Sequence, residues 1–272
     1  MHAPPTPSRP APSRPLPRPS RRRSLPALAG LLASLPLLAI APGLHAAPTA
    51  APAPDAAPPP VYRTRLPDPV VLSYEITRGP WRGEGELAWE PQDRRYRLRL
   101  EGRVMGVRVI TQDSRGLVDT AGIAPLTFSD ERRGKAPRVA TFQRNTGQVT
   151  YSANADVVRL RPGMQDRLSW MLQVGAVAAA DPARVAAGER VAMFVTGARG
   201  DADLWTFRSN GVEPLVIRGV RVEAVKLARE PRKPDDSAVE IWLDTRQHLP
   251  VRARMTNDGE TFELLRRFGD PS

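Results

Sequence analysis

From Val70 onward apolar and polar residues alternate with a period of two. Val70, Leu72, Tyr74 and Ile76 share one face, with Ser73, Glu75 and Thr77 on the other. The same alternation recurs in Leu87/Trp89, in Tyr96/Leu98/Leu100 and in Met105/Val107/Val109, with Arg97, Arg99, Glu101 and Arg108 on the outward side. Successive side chains of a strand point to opposite faces, so this pattern predicts an antiparallel sheet with one buried side. Turn signals separate the segments at Arg78-Gly79-Pro80, Pro91-Gln92-Asp93, Gly102 and Ser114-Arg115-Gly116. Further strands are predicted at 126–131, 138–143, 148–152 and 156–160, with Asn145-Thr146-Gly147 as a tight hairpin turn.

The period then changes. Met164, Leu168, Met171, Leu172 and Gly175 recur at helical spacing, which predicts an amphipathic helix over 163–177. Asp181-Pro182 supplies an N-cap and a proline at the first position of a second, short helix, and Gly188 can end it. Strand periodicity resumes at 191–196, 203–209, 215–217, 220–227, 239–244, 251–256 and 261–266. The expected fold is mainly β: an antiparallel, strongly curved sheet or partial barrel of about a dozen strands, with one or two short helices inserted. It forms a single β-rich domain over 67–269.

The chain before that domain has another character. Of its 30 prolines, 17 fall in residues 1–60, a density that helix and sheet interiors do not tolerate. Arg21-Arg22-Arg23 precedes an apolar run, Leu28 to Ala41, and then small residues around Leu44-His45-Ala46-Ala47. That order is the layout of a secretory signal peptide, with cleavage after Ala46, and implies a periplasmic protein. Pro36 and Pro42-Gly43 break the apolar run, so no transmembrane span is expected after cleavage. Ser20-Arg21-Arg22 partly matches a twin-arginine signal, which leaves both export routes open. Residues 1–46 are thus read as basic leader and signal peptide, and 47–66 as an Ala/Pro-rich disordered tether.

The leader also changes the meaning of the charge. The formal net charge is +11, but residues 1–46 hold six of the 40 basic residues and none of the 29 acidic ones, which leaves +5. Within the domain the signs alternate, as in Asp130-Glu131-Arg132-Arg133, and no nucleic-acid partner is expected. The absence of cysteine excludes disulfides, thiolate metal sites, thiol nucleophiles and a lipid-modified amino-terminal cysteine.

Several segments together resemble one family. Gly122-Ile123-Ala124-Pro125-Leu126-Thr127-Phe128, Glu131-Arg132-Arg133-Gly134 and Thr141-Phe142 are similar to the central signature of the domain of unknown function 3108 family. So are Pro162-Gly163-Met164-Gln165-Asp166-Arg167-Leu168-Ser169, Glu240-Ile241-Trp242-Leu243-Asp244 and Leu249-Pro250-Val251-Arg252. The resemblance spans roughly 70–268 and implies an exported, β-rich bacterial protein. It implies no activity and no catalytic residue. The strand–Asp–loop–Leu-Pro–strand segment also resembles hairpins of open-barrel periplasmic lipoprotein carriers, at the level of fold alone.

Candidate chemistry is sparse. Of three histidines only His248 lies in the domain, in a predicted hairpin loop, where it reads as an exposed turn residue. One histidine cannot build the histidine-pair zinc motif, and no Gly-x-Ser-x-Gly elbow, phosphate loop or dinucleotide fingerprint is present. No metal or cofactor is expected. Asp113, Asp130, Glu131, Asp166 and Glu240 are the acids to inspect for carboxylate catalysis. Asp166 stands beside Arg167 and Ser169 at the predicted helix start, where a capping role competes with chemistry. Trp170, Met171, Trp205 and Trp242 are the candidate ligand-binding residues, with Asp166, Arg167 and Asp130 as polar candidates. Met164, Leu168, Met171 and Leu172 form either a lid over a groove or ordinary helix-on-sheet packing.

Three functions fit these observations. The first is a non-enzymatic envelope protein whose sheet offers an apolar cavity or groove to a lipid, an acyl chain or a polysaccharide. The second is a carboxylate-based glycan hydrolase, which needs two acids in one open cleft. The third is an envelope assembly partner that recognises another protein by strand addition, which needs a long open sheet edge.

Overall fold

The computed structural model describes residues 59–233 and 236–269. The expected signal peptide, its cleavage site and tether residues 47–58 lie outside these. The first half of the domain is a meander of β1 (Val70–Arg78), β2 (Trp81–Gln92), β3 (Arg95–Val104), β4 (Val107–Asp119), β5 (Gly122–Arg132), β6 (Arg138–Gln143), β7 (Gln148–Tyr151) and β8 (Val157–Arg159). A two-residue strand β9 (Gln165–Asp166), helix α1 (Trp170–Ala180) and a 3₁₀ turn (Pro182–Val185) follow. The second meander comprises β10 (Arg190–Thr196), β11 (Asp203–Ile217), β12 (Val220–Glu230), β13 (Ala238–Asp244), β14 (Pro250–Asn257) and β15 (Glu260–Arg266).

All fifteen strands form one sheet, from β8 through β1, then β15 back to β9. Every neighbouring pair is antiparallel except β9 with β10. The two meanders join where the first strand meets the last, with Tyr74 opposite Arg266 and Arg78 opposite Phe262. The sheet is curved and unclosed. The terminal strand β9 lies close to β5 of the first meander: Gln165 of β9 donates from Nε2 to the Ile123 carbonyl of β5 at 2.7 Å.

The mainly β class and the curved, open sheet agree with the periodicity, whereas fifteen strands exceed the dozen expected. One reason is β9, which is hidden in the segment read as the helix start. Strand β4, though expected, differs in phase. Met105 and Gly106 are the turn between β3 and β4, not strand, with Met105 at φ 49° and 96% exposed. The inward face of β4 begins at Ile110 instead, because a register shift at Gly102/Arg103 displaces the alternation by one residue. Gly102 and Gly116, read as turns, are sites of strand irregularity. At Gly116 a Cβ would stand 2.2 Å from the Ala124 carbonyl oxygen, so only glycine lets β4 and β5 approach there. The Asn145-Thr146-Gly147 hairpin and the Asp181-Pro182 turn form as expected, with Gly147 at φ 68° and Asp181 Oδ1 accepting from the Ala183 N–H at 3.1 Å.

Helix α1 starts seven residues later than the spacing predicts, and it is not amphipathic. Every residue from Trp170 to Ala178 is buried, so the helix lies inside the curve of the sheet. Trp170 stacks on Phe207 with centroids 5.0 Å apart, and Trp205 meets Trp170 edge-on at 5.6 Å. Leu168, Val174, Val177, Val191, Trp205 and Phe207 are 0% exposed. Side chains therefore fill the space that an interior ligand cavity would need, and Met164, Leu168, Met171 and Leu172 are core residues instead of a lid. A second apolar cluster, Ile217, Val222, Ala224, Trp242 and Val251, packs separately from this core. Among the described residues no helix is long and apolar enough to cross a membrane.

The tether boundary also moves. Tyr62 and Leu66 pack against the core, and Ala192 of β10 donates its N–H to the Tyr62 hydroxyl at 2.9 Å. Arg65 donates its N–H to the Ala176 carbonyl of α1, and Trp89 Nε1 donates to the Pro67 carbonyl at 3.0 Å. Residues 61–69 therefore form a strap across α1, held by bonds that composition does not reveal.

Candidate functional site

The four apolar candidates do not form one surface. Trp170, Met171 and Trp205 belong to the main core, at 2%, 5% and 0% exposure. Trp242 belongs to the other cluster, with Lys226 and Arg252 each 4.9 Å from its ring centroid and its Nε1 donating to Glu213. None of the four lines an open groove. The polar candidates also have separate partners. Arg167 lies over the Trp205 ring at 4.6 Å and bonds Asp201 at 2.6 Å, whereas Asp130 is paired with Arg132 at 2.9 Å.

Asp166 is wholly buried and organises the approach to α1. Its Oδ1 accepts the N–H groups of Leu168 and Ser169, each at 2.8 Å, and its own N–H donates to Ser169 Oγ at 3.0 Å. Ser114 Oγ donates to Asp166 Oδ2 at 2.5 Å and bonds the Tyr96 hydroxyl at 2.8 Å. Burial pushes the Asp166 carboxyl above its ordinary range, against the pull of those hydrogen bonds. Burial, followed by the nearby Asp166 charge, drives the Tyr96 phenol well upward too. This is a sealed structural network.

Of the other acids weighed for catalysis, Asp113, Asp130 and Glu240 are engaged in salt bridges, and Glu131 is exposed. Burial pushes Asp113 up, but hydrogen bonds from Arg115 and Arg97 outweigh it and hold the carboxyl below its ordinary range. Glu240 pairs with Lys226 at 2.7 Å and with Arg254 at 3.4 Å. A broad concavity beside Glu240, about 900 Å³, is lined by Arg252, Arg254 and Glu263, and both arginines are already paired with Glu263.

A second cleft differs in character. It measures about 380 Å³, and its floor is Leu172, Gly175, Ala176 and Ala179 of α1. One wall is the strap from Arg65 to Asp68, and the other is the β13–β14 loop from Arg246 to Leu249. Asp244 builds that loop: its Oδ1 accepts the N–H groups of Arg246 at 2.7 Å and Gln247 at 2.8 Å, and its carbonyl accepts that of His248. The chain then turns left-handed at His248, φ 55°, a conformation that histidine tolerates better than most residues. Leu249 anchors the loop in the core at 6% exposure. At Gly175 a Cβ would stand 2.3 Å from the His248 carbonyl oxygen, so glycine is what admits the loop onto the helix.

His248 is therefore a wall of the cleft, not a freely exposed turn residue. Its Nδ1 is enclosed and has no hydrogen-bond partner. Burial first, and then the positive charge of Arg65, depress its pKa, so the imidazole is neutral at pH 7 and Nδ1 can accept or donate by tautomer. Sequence reasoning reached the loop through its Asp and Leu-Pro signals, but nothing in the sequence placed Arg65 opposite it.

A family model described as "Protein of unknown function (DUF3108)" matches residues 73–264. The chain belongs to the DUF3108 family. The DUF3108 match contains α1 and the β13–β14 loop, the floor and one wall of the cleft, whereas strap residues 65–68 lie before it. The segments that carry the family resemblance also meet around the helix. Gln165 and Gln173 bond the Ile123 carbonyl and N–H at 2.7 Å and 2.9 Å, and so tie the start of β5 to both ends of the α1 approach. No curated protein matches the sequence. Among solved structures, a β-barrel-like protein of domain of unknown function DUF1849 from Brucella abortus is similar, at 13% identity and a TM-score of 0.43. That alignment covers 75% of this chain and 97% of the other.

Proposed function

We propose that this chain is an exported periplasmic protein that binds a hydrophobic or amphiphilic molecule of the cell envelope, without chemical conversion, in the cleft between the strap, α1 and the β13–β14 loop. The leader of residues 1–46 supports export through its basic, apolar and small-residue order. The cleft carries the binding part: it is where the otherwise enclosed helix reaches the surface, and it joins an apolar floor to polar walls. Ligand sites combine those two elements, and 380 Å³ falls in their lower size range. An acyl chain suits such a floor better than a polysaccharide does, because the five tryptophans are absent from its lining.

Strand addition has less in its favour. The terminal strands β8 and β9 are three and two residues long, and β9 is buried, so an incoming strand would find little ladder to extend.

The test is native mass spectrometry of the exported protein after incubation with envelope lipid extract. A bound mass that Ala179→Trp abolishes is the expected result, since that side chain fills the cleft from a partly exposed position. Wild-type protein that returns with no adduct would overturn the proposal. Export is checked separately by amino-terminal sequencing of the envelope fraction, with Ala47 expected as the first residue.

A further inference from the structure

The two arginines of the cleft are among several in this molecule that form no ion pair among the described residues. Elsewhere arginines are largely committed: Arg97 and Arg115 to Asp113, Arg190 to Glu230, Arg252 and Arg254 to Glu263. Arg65 and Arg246 stand on facing walls of the same cleft, and among the described residues neither guanidinium has an ion-pair or hydrogen-bond partner. Between them lies His248, with its enclosed and unpartnered Nδ1. A buried polar atom without a partner is uncommon, because it forfeits its hydrogen bond to water without replacement. Asp68 is the one acidic residue in the lining, so the cleft keeps a net positive charge. Its floor is small and apolar, from Leu172 to Ala179.

These groups differ in what they ask of a ligand. Two guanidinium groups ask for an anion with several acceptor oxygens. The Nδ1 asks for one directed hydrogen bond, which a neutral imidazole can give in its Nδ1–H tautomer. The floor asks for a short apolar chain. We infer that the cleft binds an anionic amphiphile, with its carboxylate or phosphate head held by Arg65 and Arg246, its head oxygen bonded by His248, and its chain laid on α1. This inference rests on the binding function proposed above and specifies the ligand class.

The loop is prepared for the task before any ligand arrives. Asp244 fixes the backbone from Arg246 to His248 through three hydrogen bonds, and Leu249 pins the far side. Arg65 is placed likewise by its N–H bond to Ala176. Little ordering of backbone therefore remains for binding to impose.

The experiment measures decanoate, decanol and inorganic phosphate binding to the exported protein by calorimetry, at neutral pH and low salt. Decanoate is expected to bind at least tenfold more tightly than decanol, and phosphate is expected not to compete. Arg65→Ala with Arg246→Ala should weaken decanoate by ~10-fold or more while leaving decanol unchanged, since charge-assisted bonds carry about that weight. His248→Asn, which keeps a residue tolerant of left-handed backbone, should weaken decanoate about tenfold. Circular dichroism and thermal unfolding confirm that the variants are folded; both arginines are exposed, so little change is expected. Equal binding of decanoate and decanol, or decanoate binding indifferent to the double substitution, would overturn the anionic head and leave the binding function standing. Competition by phosphate alone would make the site one for a free anion and overturn the amphiphile. If neither decanoate nor decanol binds, and lipid extract leaves no adduct, the inference and the binding function fall together.

Discussion

At the scale of single residues, burial decides roles that residue type leaves open. Asp166 is an acid beside a serine and near a tyrosine, a set that invites a catalytic reading, yet its oxygens are spent on Ser114 and on two backbone N–H groups. Its pKa is raised in the folded protein, mainly by burial. The protonated form is therefore favoured by folding, and that contribution is complete below the unfolded pKa and lost as pH rises through the folded one. Asp166→Asn keeps an acceptor for Leu168 and Ser169 and offers Ser114 a donor in place of a charge. Its melting temperature should exceed that of the wild type at pH 8, with the gap closing towards pH 4; a gap that widens on acidification would refute the account. Trp205 makes the complementary case. It is 0% exposed and touches Trp170, Phe207 and two arginines, so Trp205→Ala should cost about 3–5 kcal/mol of stability in denaturant titration.

At the scale of elements, α1 shows how a helix is held when all of it but the last two residues is buried. Gln173 substitutes for a neighbouring strand: its Oε1 accepts the Ile123 N–H at 2.9 Å and its Nε2 donates to the Ala121 carbonyl at 2.6 Å. Gln173→Leu leaves those backbone groups unpaired and should destabilise the domain by about 2–6 kcal/mol, at 1–3 for each orphaned group, measured as a shift in urea midpoint. Gly175 serves the opposite side. Gly175→Ala puts a methyl group 2.3 Å from a backbone oxygen that cannot rotate away, so the β13–β14 loop must shift. The expected outcome is a loss of roughly 1–3 kcal/mol together with altered His248 resonances in NMR spectra, because helix and loop separate at the cleft. Unchanged stability and spectra would show that the loop does not rest on the helix as described.

At the scale of the whole molecule, the joining of β1 to β15 holds the two meanders in one sheet. Tyr74 adds a side-chain tie there, donating to the Pro250 carbonyl at 2.8 Å. Pairings between strands so far apart in sequence close large loops, which slows folding. A chain ending at residue 257 lacks β15 and bares the edges of both β1 and β14. It should partition into the insoluble fraction on expression, whereas loss of residues 267–272 alone should not have that effect.

The reach of the sequence follows the range of the interaction involved. Alternation in Val70, Leu72, Tyr74 and Ile76, the glycine at 147 and the Asp-Pro at 181 report local backbone geometry, and they suffice for the β class, most strands and several turns. Local pattern fails where tertiary structure overrides it: at Met105, an apolar residue that sits in an exposed turn, and at 163–169, where apolar spacing of four reflects burial in a loop and short strand. The candidate site was barely legible. Its loop carries a sequence signal, but the floor is formed by small residues that look like filler, and Arg65 sits in a segment whose composition suggests disorder. Periodicity states which face of an element is apolar and is silent on what that face meets. Only the tertiary structure could seat α1 inside the sheet, draw the strap across it, and bring Arg65, Arg246 and His248 around one cleft, because each of those placements depends on packing between residues far apart in the chain.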